Sequence, residues 1–133
     1  MPGPQFFVDR SLGRLRVPSL LRAADWSLVT LSEHYGVPQD EAVVDVEWLQ
    51  LAGREGWPVL MKDERIRYRT AERHALIAHG VRAFCLTSGN LTAQAMADCF
   101  IRHQDRIWSE STGDGPALFA LSRAGIRGVE LGG

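Results

Sequence analysis

The chain has 133 residues, 45% of them apolar and 23% charged, and its net charge is −1. That is enough for one domain, residues 1–133, with a core of its own, and it excludes a disordered coil or a generally basic nucleic-acid coat. No apolar run approaches the roughly 20 residues of a membrane helix, and Met1-Pro2-Gly3-Pro4-Gln5 shows no signal-peptide pattern, so a cytoplasmic protein with no membrane contact is expected.

The elements follow in chain order. Phe6-Phe7-Val8 reads as a buried strand ending at Asp9. A helix is expected from about Pro18, since proline suits a first turn. Leu28 to Leu31 is a second strand, and Gly36-Val37-Pro38 a loop. Asp45 heads the next helix, with Val46, Leu49, Ala52 and Gly53 on one face and Gly56 as its stop. Pro58 to Met61 is a third strand, ending at Lys62-Asp63. Thr70 opens a helix that Gly80 stops, and Val81 to Leu86 is a fourth strand. Leu91 to Trp108 is the longest helical pattern, Gly113 to Pro116 a loop, and Ile126 to Leu131 a last strand. Strands that are apolar throughout are buried on both faces. The expected fold is therefore α/β, a parallel sheet with helices on both sides.

Several chemistries are excluded. The chain lacks GxGxxG, GxxxxGK[ST], GxSxG and HExxH motifs. His34, His74, His79 and His103 have no metal-ligand spacing, and Cys85 and Cys99 form neither CxxC nor a disulfide scaffold.

What remains is a set of carboxylates at element ends. Asp9 and Asp63 each follow an apolar strand, and sites in open parallel sheets form outside the carboxyl ends of strands. Asp45 stands at a helix start. Three gathered carboxylates repel unless a cation separates them, and oxygen ligands suit Mg²⁺ or Mn²⁺. The same aspartates are also good helix caps, so capping is the competing reading. Arginines flank them: Arg10 beside Asp9, and Arg65, Arg67 and Arg69 after Asp63. Guanidinium groups bind phosphate bidentately. The competing reading there is a solvated loop pairing with Glu64 and Glu72.

These residues resemble a known family. Phe6-Phe7-Val8-Asp9-Arg10-Ser11-Leu12-Gly13 is similar to the opening strand and first acid of PIN-like nuclease domains. DVEWLQLAGREGWPVLMKDERIRYR, residues 45–69, resembles their sequence of acid, helix, glycine turn, strand and second acid. The layout over roughly residues 5–105 resembles the VapC-type toxins of bacterial toxin–antitoxin pairs.

The resemblance implies a three-layer α/β/α sandwich around a mainly parallel sheet, and an endoribonuclease using Mg²⁺ or Mn²⁺. It places Asp9, Asp45 and Asp63 as catalytic metal ligands, with Arg10, Arg65, Arg67 and Arg69 on the RNA. It also implies an antitoxin partner, and self-association is common in the family. Two departures stand out. The family's further acid has only Glu33, Asp40, Glu41 or Glu47 as candidates, and Met61-Lys62-Asp63 lacks the usual threonine. These departures motivate an alternative, a catalytically impaired module that binds RNA or protein. A receiver-like domain would want adjacent acids after the first strand and a late lysine. Here Arg10 follows Asp9, and Lys62 is the only lysine.

Overall fold

The opening apolar run is a strand, β1 (Gln5–Val8), with Phe6, Phe7 and Val8 all buried. It lies inside a six-stranded sheet in a computed structural model that describes residues 3–64 and 70–131. The other strands are β2 (Ser27–Thr30), β3 (Val59–Lys62), β4 (Arg82–Leu86), β5 (Ala117–Leu121) and β6 (Ile126–Val129). Their spatial order is β2-β1-β3-β4-β5-β6. All neighbours are parallel except β5 and β6.

Helices cover both faces, as the expected sandwich requires. They are α1 (Arg16–Ala23), α2 (Leu31–Tyr35), α3 (Asp45–Glu55), α4 (Thr70–Ala78), α5 (Ala93–Arg102) and α6 (Gln104–Ser111). Alternation along each strand divides the core in two. Phe6, Val8, Leu60, Phe84 and Leu121 pack with α1, α5 and α6. Phe7, Val59, Met61, Cys85 and Leu118 pack with α3 and α4. Both sheet faces are apolar for this reason.

Local chemistry sets the ends. Thr30 and Glu33 form a reciprocal capping box on α2, so the apolar run 28–31 turns into a helix at Leu31. Gly56, at φ +73°, closes α3 by donating to Ala52 and Gly53. Gly53 lies against α4's exit: a Cβ there would sit 2.5 Å from the His79 carbonyl oxygen.

Three expectations change. Residues 117–121, given no element from sequence, form β5. The single helix expected over 91–108 is two, because His103 (φ −101°, ψ 18°) bends the chain between α5 and α6. On α3, Val46 is exposed, and Trp48 and Leu51 are buried beside Leu49 and Ala52. Among the described residues no helix is long and apolar enough to cross a membrane.

Candidate active site

From β1 the chain crosses to β2 on one side, and from β3 it proceeds to β4 and β5 on the other. The connections therefore part between β1 and β3, where a crevice opens outside the carboxyl ends of an open sheet. Asp9 follows β1 and Asp63 follows β3. Side chains two apart share a face, so Asp9 follows Phe7 and Asp63 follows Met61 toward the α3 side. Asp45 is the first residue of α3. Topology alone thus brings all three aspartates to one end and one face of the sheet.

Asp9 is held tightly. Its backbone amide donates to the Leu60 carbonyl at 3.1 Å, extending the β1–β3 pairing. One carboxylate oxygen accepts from the Arg10 amide at 2.7 Å, and the other from the Ser11 hydroxyl at 2.8 Å. The group is only 6% exposed. Burial pushes its pKa up, and the nearby Asp45 charge adds to this, against the lowering effect of those hydrogen bonds. Ser11 also accepts from the Lys62 amide at 2.9 Å, so one hydroxyl ties the end of β1 to the end of β3.

Asp45 is half-buried and accepts from the indole N–H of Trp48 at 2.9 Å. Trp48 is buried and stacks on Phe7, two residues before Asp9. The packing beneath the site thereby fixes where Asp45 stands.

Asp63 is half-buried and lines a concavity with Ser11, Lys62 and Glu64. Its amide donates to Leu86 at 3.0 Å, and its carbonyl accepts from the buried Cys85 thiol at 3.6 Å. Burial first, then the Asp63 charge and the more weakly felt Asp9 charge, push that thiol up to about 12. Gly89 closes the rim, where a Cβ would run into the Glu64 carboxylate.

Asp9 thus feels Asp45, and Cys85 feels both Asp63 and Asp9. Among the described residues, no three acidic, histidine or cysteine side chains stand close enough to grip one ion together. The donor set is nevertheless hard oxygen throughout, the chemistry that suits Mg²⁺ or Mn²⁺.

The capping reading holds in part. Asp9 caps the short 3-10 turn Arg10–Leu12 by accepting from the Arg10 amide. Asp45 lies inside α3, whose cap position is Val44.

Arg10 has a structural task. Its guanidinium donates to the carbonyls of Asp40 (3.1 Å), Glu41 (3.2 Å) and Val43, pinning the segment that leads to Asp45. Arg65, Arg67 and Arg69 lie outside the described residues. Of the candidate further acids, Asp40 is buried and paired in a fork with Arg14 at 2.8 and 3.0 Å. Arg14 also takes Glu41 at 3.3 Å, and Arg22 takes Glu33 at 2.6 Å. Glu47, exposed on the first turn of α3, has no ion pair among the described residues.

Sequence reasoning did not assign roles to Ser11, Trp48 or Cys85. Ser11's place two residues after Asp9 was the one visible signal. Its partner at Lys62 is 51 residues away, and Trp48 is not on the helix face expected from sequence.

Residues 4–88 match the family model for a PIN like domain. The chain belongs to the PIN-like family. A curated Mycobacterium tuberculosis protein, named "Putative ribonuclease VapC45", is 36% identical over 115 residues, 86% of this chain and 83% of the relative. That similarity places this PIN-like domain with the VapC-type members. No solved structure matches it. The matched segment contains Asp9, Asp45 and Asp63 and stops before β5 and β6.

Proposed function

We propose that this PIN-like domain is a metal-dependent endoribonuclease, the toxin of a toxin–antitoxin pair. The observation that carries the reading is the placement of Asp9, Asp45 and Asp63 at the topological switch point, on one face. The relative's name supports ribonuclease chemistry.

Asp9, Asp45 and Asp63 would hold Mg²⁺ or Mn²⁺. When bound, such an ion supplies an activated water and stabilises charge on the phosphodiester. The chain's own residues supply orientation. Ser11 and the Arg10 amide leave the Asp9 carboxylate few rotamers, Trp48 does the same for Asp45, and the Arg10 guanidinium fixes the approach to α3. Arg65, Arg67 and Arg69 are proposed to take the RNA backbone. Backbone contacts position a strand without reading its sequence. A cognate antitoxin is the proposed protein partner, and the cytoplasm the proposed site of action.

The separation of the acidic groups favours one second reading, a non-catalytic module that binds RNA or protein. The test is cleavage of an RNA pool by the purified chain with Mg²⁺ or Mn²⁺ against EDTA, beside Asp9→Asn. Metal-dependent cleavage absent from the variant supports the nuclease. Undiminished cleavage by Asp9→Asn removes it, and no cleavage with any metal favours the module.

A further inference from the structure

The pairing register carries the α3 face of the sheet from the acids to its far edge. Met61 stands opposite Cys85, Cys85 opposite Ala120, and Ala120 opposite Arg127. Residues opposed on neighbouring strands point to the same face. β6 runs antiparallel, so it begins where β4 and β5 end. Arg127 therefore shares both the end and the face of the sheet with Asp9 and Asp63. Three strand spacings separate the Asp63 strand from β6, about 15 Å, a distance that a few nucleotides of extended strand would cross.

A cavity of about 260 Å³ lies along that path, with Thr87, Ala120, Ser122, Gly125, Ile126 and Arg127 in its wall. It is smaller than the roughly 300–1,000 Å³ of a drug-sized site, which fits one base or sugar. Small residues at Ala120 and Gly125 leave the space. The surrounding turn is fixed by its own bonds. The Thr87 amide and hydroxyl both donate to the Leu121 carbonyl, at 2.9 and 3.0 Å, and the Ser122 amide donates to Gly125 at 2.9 Å.

Arg127 is exposed, and its side chain has no hydrogen bond or ion pair among the described residues. Its charge answers a need of the site. Three aspartates repel a phosphate backbone, and a chain of net charge −1 has no general positive field to offset them.

We propose that the cavity between Thr87 and Arg127 is a nucleotide subsite. Arg127 contacts a phosphate of the substrate strand, and the adjoining base or sugar enters the cavity. This rests on the ribonuclease reading above and extends it to a hairpin beyond the matched PIN-like segment.

The test uses the full chain and a fluorescein-labelled random oligoribonucleotide pool. Anisotropy in EDTA at several salt concentrations gives affinity and salt slope, and cleavage with Mn²⁺ gives KM and kcat. Arg127→Glu should weaken binding roughly tenfold and flatten the salt slope by about one. KM should rise with kcat nearly unchanged, and Arg127→Lys should recover most of the loss. Arg54→Glu, on the last turn of α3, controls for net charge and should match wild type. If wild type cleaves the pool, and Arg127→Glu equals it or Arg54→Glu falls as far, the subsite is overturned and the ribonuclease reading stands. If wild type binds without cleaving, the ribonuclease reading falls and the same comparison of affinities decides the subsite. If wild type neither binds nor cleaves the pool, both are overturned.

Discussion

Arg10, the neighbour of Asp9, donates its guanidinium to the main-chain carbonyl of Val43, two residues ahead of Asp45. The residue after the first acid thus sets the approach of the helix that carries the second. Arg10→Ala should lower stability by about 1–3 kcal/mol, measured by denaturant unfolding, as its hydrogen bonds to the 40–43 segment are lost. It should also weaken Mn²⁺ binding. A rise in KM with metal affinity unchanged would show instead that Arg10 acts only on substrate.

Trp48→Phe keeps the ring against Phe7 and removes the donor to Asp45. The expected stability loss is about 1 kcal/mol. Cleavage should fall by more than that loss explains, because Asp45 gains rotamers. Equal activity in the variant would show that Asp45 needs no anchor.

Asp9 gives a pH prediction. Its pKa in the folded chain is raised above the ordinary 3.8, mainly by burial and then by Asp45. Between the two values the folded state keeps a proton that the unfolded chain has released, so stability falls as pH rises through that window. Above it the cost is complete. In EDTA at neutral pH, Asp9→Asn should therefore melt at or above the wild-type temperature while losing cleavage. The difference should shrink below the ordinary aspartate value. A lower Tm at neutral pH would contradict this account of Asp9.

Both cysteines are buried and free. Burial raises the Cys99 thiol, and burial with the acids pushes Cys85 to about 12. The thiolate is the reactive form. Neither thiol should react with iodoacetamide in the native chain at neutral pH, and both should react in guanidinium. Native labelling of Cys85 would mean that the floor beneath Asp63 opens.

Gly53→Ala tests the fold apart from the site. A Cβ would meet His79 backbone at 2.5 Å, between α3 and the end of α4. Overpacking of this kind costs about 1–3 kcal/mol. Mn²⁺ affinity should stay at the wild-type level, since Gly53 sits two turns from Asp45.

Much of this was legible along the chain. Phe6-Phe7-Val8 and Val59-Leu60-Met61 are apolar on both faces because α1 and α5 cover one side and α3 and α4 the other. Asp9 and Asp63 follow the ends of these two strands, as their spacing in the chain indicates. Asp45 came from its position before an amphipathic helix. The β5 strand went unread, although Ala117–Leu121 is as apolar as β4. The break at His103 was hidden because apolar spacing continues through it, with Phe100 and Ile107 both buried. Long-range contacts had no sequence signal at all. Ser11 reaches Lys62 because β1 and β3 are adjacent, and Arg10 reaches Val43 across 33 residues of chain.

We propose that one Mg²⁺ or Mn²⁺ ion draws Asp9, Asp45 and Asp63, which stand apart in the structure, into a single site. Calorimetric titration of Mn²⁺ into the wild-type chain, beside Asp9→Asn, Asp45→Asn and Asp63→Asn, tests it most directly. The account predicts binding in the wild type and at least tenfold weaker binding in every variant, each folded by circular dichroism. Wild-type affinity retained in any one of the three, or no binding to the wild-type chain, would contradict it.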